Sequence, residues 1–136
     1  MPGYSGTPLV CASAFAKAPL IEYLLSRGAD PNIENCGWGH FQLKPITAAV
    51  EGWMKDVDAA KAVGILLEGG ARWEGSGALQ VAAREGKVEC VRMLVGSGVD
   101  VNEVVARIEK RSAVKCAEEN GHDEIVGILR ANGARE

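Results

Sequence analysis

The stretch Ala82-Ala83-Arg84-Glu85-Gly86-Lys87-Val88-Glu89-Cys90-Val91-Arg92-Met93-Leu94-Val95-Gly96-Ser97-Gly98-Val99-Asp100-Val101-Asn102 decides the fold. It leaves a small-residue helix, turns at Glu85-Gly86-Lys87, and resumes with Cys90, Val91, Leu94 and Val95 at helical spacing. Gly98 follows, where a left-handed residue closes a last helical turn. The same ending recurs as Leu24-Leu25-Ser26-Arg27-Gly28-Ala29-Asp30-Pro31-Asn32, as Leu66-Leu67-Glu68-Gly69-Gly70-Ala71-Arg72, and as Leu129-Arg130-Ala131-Asn132-Gly133-Ala134-Arg135. Gly28, Gly70, Gly98 and Gly133 are therefore candidate stops of four second helices.

A second pattern lies upstream of each stop: Thr7-Pro8-Leu9 with Ala12, Lys44-Pro45-Ile46 with Ala49, Gly77-Ala78-Leu79 with Ala82, and Ser112-Ala113-Val114 with Ala117. Proline is tolerated at a first helical position, and the Thr7 and Ser112 hydroxyls can cap free backbone donors. The recurrent alanine keeps one helix face thin. Each unit thus reads as helix, tight turn, helix, glycine stop and loop. The starts fall at 7, 44, 77 and 112, and unit 2 carries about five extra residues around Trp53 to Ala59.

Composition narrows the class. The chain has 136 residues, 47% hydrophobic and only 5% aromatic, so small aliphatic residues must build the core. A net charge of -3 with a pI near 5.5 argues against nucleic acid, which wants a basic face. No apolar run approaches the roughly 20 residues of a membrane span, and no signal peptide is visible. Cysteines 11, 36, 90 and 116 form no C-x-x-C pair and read as thiols in a reducing compartment, cytoplasm or nucleus.

These residues resemble the ankyrin-repeat family, whose pattern runs T-P-L-H-x-A-A, then G-H at the turn, V-V-x-L-L-L and G-A-D-V-N. The resemblance covers nearly the whole chain. It implies an all-α solenoid of stacked helix-turn-helix units with short or irregular hairpin loops. The units fall at about 5–35, 42–74, 75–103 and 110–136, with an irregular loop at 33–43. The family histidine after T-P-L is replaced by Val10, Thr47, Gln80 and Lys115, so weaker hydrogen bonding between repeats is expected. Terminal repeats need a polar outer face. Unit 4 has one, with Arg130, Glu118, Glu119 and Lys115. Unit 1 instead carries Val10, Ala14, Phe15, Ala18 and Tyr23, which points to upstream repeats, to self-association, or to Met1–Tyr4 folding back over it.

Catalytic constellations are thin. His122 sits in the turn where the family commonly has histidine, and His40 lies in a loop. Cys11, Cys90 and Cys116 read as core residues, with Cys36 in the long loop. Gly75-Ser76-Gly77 reads as a tight link between repeats, and Asp56 and Asp58 as a solvated helix start. No catalytic residue, cofactor or metal is expected. The resemblance implies a non-catalytic module that holds a protein partner on its concave face and loops. By position, the partner-binding candidates are Phe15, Trp38, His40, Phe41, Glu51, Trp73, Arg84, Glu85 and Arg107. Trp38 and Phe41 either anchor a partner or tuck back over unit 2. The rival reading is an enzyme or small-ligand protein with a pocket between the Trp38 loop and the long unit-2 turn, joining His40, Trp38, Glu51 and Trp73. A third makes the chain a piece of a larger eukaryotic protein of this family.

Overall fold

The computed structural model describes residues 8–32, 35–36, 42–51, 54–74, 76–103 and 112–134. The first helices begin where the small-residue pattern places them: α1 (Pro8–Ala14), α3 (Pro45–Glu51), α5 (Ala78–Glu85) and α7 (Ala113–Glu119). The Ser112 hydroxyl accepts a hydrogen bond from the Lys115 backbone N–H at 3.4 Å and caps α7. The expected cap of α1, Thr7, lies outside the described residues. The second helices are α2 (Ala18–Ser26), α4 (Asp56–Glu68), α6 (Val88–Gly96) and α8 (Asp123–Ala131).

Each first helix folds against the second helix that follows it. The hairpins then stack in two layers, α1-α3-α5-α7 and α2-α4-α6-α8. Buried Ile21, Ile46, Leu66, Leu94, Ile125 and Leu129 fill the space between, and buried Ala49, Ala82 and Ala117 thin the first-helix layer so that neighbours approach closely. Among the described residues the only strands are β1 (Asn35–Cys36) and β2 (Gln42–Leu43), an antiparallel pair with Asn35 opposite Leu43 and Cys36 opposite Gln42. This short pair lies within the irregular loop and leaves the fold all-α.

All four stop glycines are left-handed, with φ of 90°, 99°, 86° and 99° at Gly28, Gly70, Gly98 and Gly133. The closure is the same each time. The N–H after the glycine reaches back five residues, as Ala29 to Leu24, Ala71 to Leu66, Val99 to Leu94 and Ala134 to Leu129. The glycine N–H bonds one turn back, as Gly28 to Leu25 and Gly98 to Val95. Each second helix thus ends in a Schellman closure that satisfies its last carbonyls.

Four expectations change. The extra residues of unit 2 do not make a long turn: Asp56–Ala59 form an added first turn of α4, which has 13 residues against 9 in α2, α6 and α8. Asp56 is not merely solvated. Its carboxylate accepts the backbone N–H of Glu89 at 2.8 Å and of Cys90 at 3.1 Å, capping α6 in the next unit. Weaker bonding between repeats is also not seen at two of the substituted positions. Thr47 donates through Oγ1 to the Ser76 carbonyl at 3.0 Å, and Gln80 through Nε2 to the Glu103 carbonyl at 2.6 Å. Val10, expected on the open face of unit 1, is buried like Thr47 and Gln80.

Candidate functional site

The first-helix layer buries nearly everything except the last turn of each helix. Those last turns lie in register because the helices have similar lengths and stack side by side. They bring Ala14 and Phe15, Glu51, Arg84 and Glu85, and Glu119 and Asn120 into one row along the turn edge. All but the half-buried Ala14 are exposed. Arg84 and Glu85 pair at 3.3 Å, which half-neutralises the middle of the row. This pair is exposed on both sides and contributes little to stability.

The turn edge is stitched across units. His122 Nε2 lies 3.1 Å from the Arg84 carbonyl, so this histidine is structural, as its turn position implies. Lys87 donates through Nζ to the Val50 carbonyl. At the opposite, loop edge a different stitch appears. Asn32 donates through Nδ2 to the Gly70 carbonyl at 3.0 Å and accepts the Arg72 N–H at 2.7 Å. Asn102 makes the equivalent bond to the Gly133 carbonyl at 3.0 Å. Asp30 and Asp100 preset these asparagines by accepting the N–H groups of Asn32 at 2.8 Å and Asn102 at 2.9 Å.

Comparison with known families matches residues 47–135 to the model described as "Ankyrin repeats (3 copies)" and residues 6–36 to the one described as "Ankyrin repeat". The chain belongs to the ankyrin-repeat family. The glycine closures, the Asp-x-Asn loop stitches and the turn histidine are then ankyrin features placed by named residues. They also show where this array departs. The second repeat ends Gly70-Ala71-Arg72-Trp73-Glu74, with Arg72 and Glu74 where the first and third repeats carry Asp and Asn. No asparagine stitch joins repeats 2 and 3 among the described residues. The link is instead a tight turn: Ser76 donates from its hydroxyl to the Trp73 carbonyl at 2.6 Å and accepts the Ala78 N–H at 3.2 Å. No hairpin forms there among the described residues.

The predicted binding residues therefore separate. Phe15, Glu51, Arg84 and Glu85 share the ankyrin turn edge. Trp73 does not join them. It packs half-buried at the loop edge of the second-helix layer, in a cleft with Leu67 and Met93. Trp38, His40, Phe41 and Arg107 lie outside the described residues, as do Trp53 and Met1–Tyr4. The pocket of the rival reading is not assembled from its described members. Glu51 closes α3 at the turn edge, while Trp73 follows α4 at the other end, roughly 20 Å of helix away. Sequence reasoning missed Asp56, Thr47 and Gln80 as inter-repeat ligands. The added helical turn before Ala60 was the available signal for Asp56.

Two of the thiols, Cys90 and Cys11, are held protonated by their surroundings. Burial, reinforced by the Asp56 carboxylate beside it, pushes the Cys90 thiol up to about 12. Burial also raises the partly exposed Cys11. A thiol held protonated is a poor nucleophile.

Proposed function

We propose that this chain is a non-catalytic adaptor that holds a protein partner along the turn edge of its first-helix layer, with the 33–43 loop and Arg107 extending the surface. Ankyrin repeats are in general protein–protein interaction modules. The observation that carries the reading is the row itself: Phe15, Glu51 and the Arg84–Glu85 pair reach solvent from three successive repeats in one line. Such rows present several side chains to an extended partner segment at once. The stitched edge supports it, since a preorganised surface loses little freedom on binding.

Affinity capture from the native cell tests this, using the intact chain, a Phe15→Ala, Arg84→Ala, Glu85→Ala variant and a Trp38→Ala, Phe41→Ala variant. Loss of one specific prey from either variant, with unchanged circular dichroism, supports the surface. Equal retention by both overturns it.

We also propose that the open face of unit 1 is covered in the working assembly, by an upstream repeat or by a second copy. Leu20 is 46% exposed, whereas the equivalent Ala62, Cys90 and Ile125 of the later units are each 0% exposed beneath the preceding repeat. Size-exclusion chromatography with light scattering separates the two covers. A clean monomer at high concentration removes the second copy.

A further inference from the structure

The loop edge between repeats 2 and 3 holds a cleft of about 440 Å³. Glu74 stands where the neighbouring repeats place Asn32 and Asn102. An asparagine amide donates to the next repeat's glycine carbonyl, but a carboxylate only accepts. The donated bond that would tie the second repeat's loop to the Gly98 carbonyl cannot form. Trp73, Met93, Leu67, Ser97, Glu68 and Glu74 line the cleft. Gly64 lets α6 sit close deeper in, since a Cβ there would lie 3.2 Å from the Met93 thioether.

The chemistry of this lining is that of a cation receptor. Two helices point their C-terminal ends at it, and neither α4 nor α6 has a basic residue in its last turn. Helix C-termini carry partial negative charge and favour a cation. Glu68 and Glu74 add two exposed carboxylates without an ion-pair partner among the described residues. Trp73 supplies an indole face and Met93, 37% exposed, a polarisable thioether. Arg72, the single cation of the lining, has its backbone held by Asn32 and leaves carboxylates in excess.

We propose that this cleft receives a basic side chain, lysine or arginine, of a protein partner. The inference rests on the adaptor reading but places a second contact on the opposite layer from the turn-edge row. The charge reaches the two helix ends and the glutamates, and the aliphatic stem or guanidinium plane lies against Trp73.

The test is an NMR titration of the full chain with N-acetyl-arginine methylamide and N-acetyl-lysine methylamide, with N-acetyl-glutamate methylamide as the opposite charge. A Trp73→Phe variant assigns the Trp73 indole N–H resonance. The expected result is a saturable shift of that resonance with both cationic probes and none with the anionic one. A Glu68→Gln, Glu74→Gln variant is expected to bind the cations about fivefold or more weakly, the factor lost with two modest charge contacts. These glutamates are exposed, so the variant keeps its fold, checked by circular dichroism. An equal response to the anionic probe, undiminished binding by the double variant, or no saturable shift overturns the cleft. A chain that keeps its partner through the turn edge yet shows no cation-dependent shift leaves the adaptor reading standing and removes only this site.

Discussion

Gly86 and Gly127 separate what glycine does in this chain. Gly86 sits at φ +75°, and a Cβ there would meet the His122 ring at 2.6 Å. Gly86→Ala therefore strains the turn and displaces the histidine that touches the Arg84 carbonyl; a loss of about 1–3 kcal/mol in urea unfolding is expected. Gly127 lies in the interior of α8, exposed, with nothing within 4 Å of a built Cβ. Gly127→Ala is expected to stabilise the chain by about 1 kcal/mol in the same measurement. Cys90 gives a pH signature. An unfolded thiol ionises near 9.0, whereas the folded one waits until about 12. Below the first value this residue adds no pH dependence. Above it the unfolded state sheds a proton that the folded state keeps, so stability falls as pH rises across that window. Urea midpoints measured across that window should drop in the native chain and drop less in Cys90→Ala.

At the scale of elements, the unit-2 insertion is the instructive case. The extra residues were legible in the sequence, but their form was not, because a longer turn and a longer helix satisfy the same local pattern. What decides is a bond 33 residues away. The added turn of α4 brings Asp56 to the N-terminus of α6, where two backbone donors await an acceptor. Asp56→Ala should cost about 1–2 kcal/mol in urea unfolding, the usual range for losing an N-terminal cap, and Asp56→Asn should recover part of it. The glycine stops were legible for the opposite reason: a left-handed closure needs glycine, so the residue type reports the backbone directly. Phe15, Glu51, Arg84 and Glu85 could be placed together because helix periodicity repeats in each unit. Trp73 could not, since the side it faces depends on the path of the loop that carries it, which helix periodicity does not set.

For the molecule as a whole, coupling between neighbours sets local stability. Repeats 2 and 3 are held by the Asp56 cap, the Thr47 bond and the Lys87 contact, even without a loop-edge asparagine. Repeats 3 and 4 add His122, Asn102 and the Arg92 bridge to Glu124 at 2.9 Å. Unit 1 has a neighbour on one side only among the described residues, and α2 leaves Leu20 and Tyr23 uncovered. Native-state hydrogen exchange should find the α2 amides exchanging faster than those of α4 and α6. Protection of α2 equal to α6 would mean that its open face is covered in solution.

The identical glycine closures carry a last consequence. The stops are spaced 42, 28 and 35 residues apart, yet each second helix ends with the same bonds. Differences in length are absorbed between one stop and the next first helix, or by the added turn of α4, and never at the closure. The array behaves like a ruler with fixed marks and elastic intervals. Foreign segments grafted into those intervals should leave the stacking intact, whereas even a single residue inserted within a closure should break the register of every unit beyond it.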